Sequence, residues 1–262
     1  GKTVFVKGAL PQERVSLRIT RSKKQFDEAE TLAVLRPSPQ RVIPKCGYFD
    51  TCGGCTLQHA AHEAQVAYKQ RVLEEQLARI GKVRPAQLLA PVYGMPWGYR
   101  DRARLAVAVD GRGRLKMGFQ ARKSHDVVDI DACPVLPPAV SSALPVVKNT
   151  LQKLADAGER VRFAEFFQGD ALLVLNVCLS DKPSEQALTQ LHRLSDSLNQ
   201  KQMHFWQIWL QIGREAAFPF APREAPPLAY RLPEFDVRMP YRPGDFTQVN
   251  ADLNAVMVGG AL

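Results

Sequence analysis

Three cysteines stand within ten residues in the stretch KCGYFDTCGGCTLQHA (residues 45–60): Cys46, Cys52 and Cys55. Such thiols are disulfide partners in an oxidising compartment or metal ligands in a reducing one. The chain has five cysteines, an odd count, and no secretory signal, so a cytosolic metal site is the better account. The spacing is C-x5-C-x2-C, with Gly53 and Gly54 inside the last knuckle. Small residues there let backbone amides approach a bulky inorganic cluster and donate to its sulfurs. A fourth ligand must come from elsewhere. Cys133 in DACPVL is the natural candidate, since it precedes proline as the last cysteine of ferredoxin-type runs does. One knuckle, one cysteine six positions before it and one far away suit a [4Fe-4S] cubane, whose irons take thiolates from diverging directions. Zinc, which usually takes two knuckles, is the alternative that spacing alone leaves open. His59 and His62 are near enough to substitute as ligands, but read as polar loop and helix-start residues. Cys178, inside LLVLNVCL, reads as a small buried hydrophobe. The C-x3-C-x2-C of radical S-adenosylmethionine enzymes is absent.

These residues need elements to hold them. Residues 1–43 read as short strands (TVFV, RVSLRIT, TLAVL) between turns, with Val15, Leu17 and Ile19 alternating as in a half-buried strand. A small antiparallel barrel, complete or incomplete, fits, followed by RPSPQRVIP as a stiff linker. Residues 62–80 read as a helix with Val66, Leu73, Leu77 and Ile80 on one face and Gly81 as its stop. RARLAVAV and LKMGF form a hairpin across DGRG; VRFAEFFQ and ALLVLNVCL form another across Gly169-Asp170. Helices are expected over 138–156, with Pro145 as an internal irregularity, and over 184–198, with Ser184 as N-cap. HFWQIWLQI is a further strand. This order predicts an α+β domain built on an antiparallel sheet.

The 262 residues carry a formal charge of +9, unevenly spread. Residues 1–45 hold ten Lys/Arg against four Asp/Glu, and residues 97–125 hold eight against two. Positive charge in two blocks points to a polyanion, most simply nucleic acid. No run approaches the roughly 18–20 apolar residues of a membrane span, so no membrane role is expected. The chain begins without Met and runs straight into a strand, which suggests a processed or truncated start.

CGYFDTCGGCTLQH, followed by QVAYKQRVLEEQLARIG and much later by CP, resembles the bacterial 23S rRNA (uracil-5)-methyltransferases. That resemblance implies a [4Fe-4S] cluster on Cys46, Cys52, Cys55 and Cys133. Residues 1–44 are similar to the later part of a TRAM domain, an OB-like RNA-binding barrel. Residues 45–245 would then be a central α+β domain carrying the cluster loop. GDFTQVNADLNAVMV opens a third segment, 246–262, similar to the start of the family's methyltransferase domain. The Rossmann-like S-adenosylmethionine domain is expected to be mostly absent, with no catalytic nucleophile or base in this chain. This piece alone would then be inactive. Gln248 of FTQVN is the one cofactor contact that carries over. In the family reaction a cysteine thiolate adds to C6 of uracil, C5 takes the methyl group, and a base removes the C5 proton. The target base must first leave its stack. Arg100, Arg102, Arg104, Arg112, Arg114, Lys116, Arg122 and Lys123 would neutralise phosphates of the rRNA partner, with Trp97, Tyr99 and Phe119 as possible stacking groups. The resemblance further implies a cytoplasmic monomer. A non-catalytic zinc or iron–sulfur RNA-binding module is the second reading.

Overall fold

A computed structural model describes residues 1–200 and 204–261. The expected third segment, 246–262, therefore has its last residue outside the described set. The chain divides into two units: Gly1–Gly47 with Cys55–Pro91, and Tyr48–Gly54 with Val92–Leu262.

The first unit is built on three strands, β1 (Thr3–Lys7), β2 (Arg14–Ser22) and β3 (Phe26–Arg36), in the order β1-β3-β2. β2 pairs antiparallel with β3, but β1 joins the far edge of β3 in parallel. The sheet is therefore open and mixed, where the sequence suggested an antiparallel barrel. The β2–β3 ladder also shifts register at three places. Each shift changes which side chains share a face, and Leu17 and Ile19 end up exposed rather than half-buried. The stretch 36–44 is no free linker. Arg41 and Glu13 form a two-pronged ion pair, and the Glu13 carboxylate also accepts from the amides of Leu10 and Ser38. Val42 N–H donates to the His59 carbonyl and Ala61 N–H to that of Gln40, which zips the stretch to residues 59–61. Helix α1 (His62–Gln76) follows and passes into a π-helical turn over Leu77–Gly81, which ends at left-handed Lys82 rather than at Gly81. Only Ala64 of α1 is buried, and Leu73 and Ile80 are exposed. The expected apolar face is therefore not a buried one.

The second unit is a six-stranded sheet in the order β5-β4-β6-β7-β8-β9. Its strands are β4 (Arg102–Val109), β5 (Leu115–Gly118), β6 (Val161–Gln168), β7 (Leu173–Leu179), β8 (Trp206–Ile212) and β9 (Phe218–Ala221). Four of its five pairings are antiparallel, but β7 and β8 are parallel. The antiparallel expectation is thus corrected to a mixed sheet. The reason lies in the chain between them: α3 (Glu185–Asn199) returns the chain to the same end of the sheet, as a crossover helix must. The Ser184 hydroxyl accepts from the Ala187 amide at 3.2 Å, the expected N-cap. α2 (Pro138–Asp156) keeps Pro145 inside it, at an exposed position.

Alternation sorts the sheet into two faces. Ala103, Leu105, Ala164, Phe166, Leu175, Val177, Ile208 and Leu210 point one way and are all buried. Val140, Leu144, Val147 and Leu151 of α2 and Leu191 and Leu194 of α3 are buried in the same layer. Each such side chain is worth about 1.5–3 kcal/mol in transfer from water. The other face carries Arg102, Arg104, Phe163, Glu165, Phe167 and Asn176. One end of it is covered by a second small core of Phe167, Leu172, Val174, Trp209 and Leu228, with Tyr241 against it. The hairpin β10 (Ala229–Leu232) and β11 (Val237–Pro240) and helix α4 (Ala251–Ala261) complete the unit. No helix of the described residues is long and apolar enough to cross a membrane.

Candidate nucleic-acid interface and cysteine loop

The uncovered end of the second sheet face borders a cavity of about 810 Å³. Its walls come from Gly53 and Gly54, from Arg104 and Ala106 of β4, from residues 118–125, and from Arg162 and Phe163 of β6. Arg104, Arg122, Lys123, His125 and Arg162 line it, and no carboxylate does. Its character is that of an anion receptor.

Glu165 explains how so many cations share one face. Its side chain is buried, and it accepts from Arg102 (3.0 and 3.1 Å) and from Arg104 (3.3 and 3.5 Å). One buried carboxylate thus anchors two guanidinium groups. Arg102 is spent there: it also donates to the Asp245 carbonyl, and its side chain is only 19% exposed. Arg104 is different. Its guanidinium lies 4.3 Å from the Phe163 ring centre, and 53% of the side chain remains accessible.

The other predicted phosphate contacts divide the same way. Arg122 turns toward the cysteine loop, donating to the carbonyls of Phe49 and Cys52, with its charge over the Phe49 ring. Arg100 stacks over Phe119 and donates to the Arg102 carbonyl. Arg112 and Arg114 sit on the β4–β5 turn, where the Asp110 carboxylate accepts from both of their amides and pairs with the Arg114 side chain. Lys116 is exposed on β5. None of Arg100, Arg112, Arg114 and Lys116 lines the cavity. Arg162, Phe163 and His125, which sequence reasoning passed over, do. Alternation in VRFAEFFQ could mark Phe163, but only once β6 is known to lie beside β4; Arg162 falls at a register shift, where alternation breaks down.

The cysteines fall in both units. Cys46 and Cys55 belong to the first and are half-buried; Cys52 and Cys133 belong to the second and are buried. In the first, Cys46 N–H donates to Gln58. In the second, the loop 48–54 is held at both ends. Gly53 N–H donates to the Gln120 carbonyl, Arg122 N–H to that of Thr51, and Asp131 N–H to the Tyr48 hydroxyl, two residues before Cys133. Gly53 must be glycine for this: a Cβ there would stand 2.8 Å from the Gln120 oxygen. Gly118 is tighter still, since its Cβ would meet the Val128 oxygen at 1.9 Å. Gly54 serves the chemistry expected of the pair, as its N–H points at Cys52 Sγ from 3.4 Å. An amide aimed at a buried sulfur suits a thiolate ligand. Among the described residues, however, no group of three or more His, Cys, Asp or Glu side chains is drawn together to hold a metal ion. Cys178 is buried within β7, and burial pushes its thiol up, as fits a core residue.

Gln248 lines a separate, small cavity of about 20 Å³ with Asp101, Tyr230, Tyr241, Thr247 and Asn254. That is room for about one water. The Ala251 amide donates to the Asp101 carboxylate at the start of α4. Burial, aided by nearby Asp252, pushes the Asp101 carboxyl up to about 6. Burial also raises the Tyr241 hydroxyl well above its usual range.

No protein-family model matches the sequence. Curated proteins do, end to end. Over 258 residues the chain is 52% identical to the 23S rRNA (uracil(1939)-C(5))-methyltransferase RlmD of Neisseria lactamica, covering 98% of this chain and 56% of that protein. It is 42% identical to the protein of the same name from Thiobacillus denitrificans (100% and 60%) and 44% identical to that from Bordetella pertussis (100% and 55%). The chain is a relative of these proteins along its whole length. It spans a little over half of their length. The structure aligns with that of the tRNA (uracil-54, C5)-methyltransferase of Pyrococcus abyssi, solved with S-adenosyl-L-homocysteine. The TM-score is 0.64 at 20% identity, over 98% of this chain and 60% of that one. That likeness is one of fold. It gives no support to the expected absence of a Rossmann-like cofactor domain, and that expectation is withdrawn.

Proposed function

We propose that this chain is the RNA-binding, cluster-bearing part of an enzyme that transfers a methyl group from S-adenosylmethionine to C5 of a uridine in 23S rRNA. The observation that carries the reading is 42–52% identity, along the entire chain, to proteins named for that reaction. The cavity of the second unit supports it, since a cationic, carboxylate-free hollow suits a phosphate backbone. Cys46, Cys52, Cys55 and Cys133 would hold a [4Fe-4S] cluster. The C-x5-C-x2-C spacing, the proline after Cys133 and the Gly54 amide aimed at Cys52 favour it. Bound there, the cluster would supply a rigid tie for the cysteine loop. Residues 1–44 would act as a TRAM-like contact for RNA, and Gln248 would touch the cofactor. A cytoplasmic location follows from the substrate.

The test is selectivity of RNA binding. The purified chain is titrated with a labelled 23S rRNA segment spanning the uridine for which the relatives are named, and with a tRNA arm of equal length. The reading predicts at least about tenfold tighter binding to the rRNA segment. Equal affinity for the two would overturn it.

A further inference from the structure

The cavity of the second unit does more than collect positive charge. Arg104 is held as a flat plate. Its guanidinium carbon lies 4.3 Å from the Phe163 ring centre, and its Nη2 donates to both oxygens of buried Glu165. Half of its side chain still faces the open space of the cavity. A guanidinium pinned this way has lost its rotamer freedom before any ligand arrives, so stacking on it costs little further entropy. Phosphate binding alone would not require such a plate, for which a mobile lysine would serve. Nucleobases do stack on arginine planes, and this is one of the ways in which single-stranded RNA is read.

The rest of the cavity matches one nucleotide unit. Arg162 is exposed on the adjoining strand and lines the cavity, its Nη1 donating to the Gly213 carbonyl. His125 also lines it, two residues beyond left-handed Lys123. At about 810 Å³ the hollow has room for a base, its ribose and a phosphate.

We infer that this cavity is a single-nucleotide subsite for unpaired RNA, with a base stacked on the Arg104–Phe163 plate and its phosphate held by Arg162 and His125. It rests on the RNA-binding reading above and deepens it. A free mononucleotide and an acidic protein surface are the other occupants such chemistry could serve.

The experiment compares the wild-type chain with Arg104→Lys and Arg162→Ala, each first shown to keep the wild-type circular dichroism spectrum and melting temperature. The ligands are a single-stranded RNA dodecamer carrying one 2-aminopurine, a duplex of equal charge, heparin, and AMP. The wild type should prefer the single strand to the duplex and quench 2-aminopurine on binding. Arg104→Lys keeps the charge but not the plate, so it should lose the quenching and about tenfold in affinity, with an unchanged slope of log affinity against log salt. Arg162→Ala should lose about one unit of that slope and keep the quenching. Equal binding of heparin, duplex and single strand, or quenching that survives Arg104→Lys, would overturn the subsite while leaving general RNA binding intact. Binding of AMP alone would overturn it in favour of a small-molecule pocket. Failure of the wild type to bind any RNA would bring down the functional reading as well.

Discussion

At the scale of single residues, three charged groups set the behaviour of the molecule. Glu13 is buried, and the hydrogen bonds of Arg41, with two amides, hold its carboxyl down at about 2. A depressed carboxyl adds stability that is fully present above its unfolded value, near 4.5, and is lost as pH falls toward 2. Glu13→Gln should therefore cost about 2 kcal/mol at pH 7 and almost nothing at pH 2. Urea unfolding at the two pH values reads the difference, and an equal cost at both would refute the pairing. Asp101 works in the opposite sense. Its carboxyl is raised to about 6, so the native state is penalised above that pH and relieved as pH falls toward 4. Asp101→Asn, which can still accept from the Ala251 amide, should gain about 1 kcal/mol at pH 8 and nothing at pH 4. Arg122 was read from the sequence as a phosphate contact, yet its guanidinium donates to Phe49 and Cys52 carbonyls. Arg122→Ala should speed amide exchange at Gly53 and Gly54 at least about tenfold, measured by hydrogen exchange. Unchanged protection there would mean that the loop is held by other contacts.

At the scale of elements, what could be read from the sequence was what is local. Ser184 caps α3 because a hydroxyl before an amphipathic run satisfies an orphan amide, and Ser184→Ala should cost about 1 kcal/mol of stability in thermal unfolding. The DGRG turn was legible because Asp110 and Gly113 carry turn chemistry within four residues; Gly113 takes a positive φ and Asp110 accepts from two amides. The parallel β7–β8 pair was not, because strand direction depends on where α3 returns the chain rather than on either strand's residues. The exposure of Leu17 and Ile19 was hidden for a similar reason: register shifts belong to the partner strand as much as to β2. Of the cavity, Arg104 and Lys123 could be named in advance, while Arg162 and Phe163 could not, since only the β4–β6 pairing puts them beside Arg104. Gly118 carries the largest local constraint, and Gly118→Ala should prevent soluble expression or lower the melting temperature by more than 10 °C, as roughly 3 kcal/mol or more of steric cost implies.

At the scale of the whole molecule, two features meet in the second unit: the loop that carries Cys52, and a cationic cavity whose wall includes Gly53 and Gly54 of that loop. Gly53 and Cys52 are tied to Gln120 and Ala121, which line that same cavity. A cluster held in part by Cys52, as proposed, would therefore bear on the wall of that cavity within the second unit. The measurement that tests this most directly is iron, zinc and acid-labile sulfide per chain on anaerobically purified protein. The account predicts about four irons and four sulfides per chain, and none in a Cys52→Ser, Cys133→Ser double variant. One zinc and no sulfide would contradict it and would leave a zinc-bearing RNA-binding module in its place.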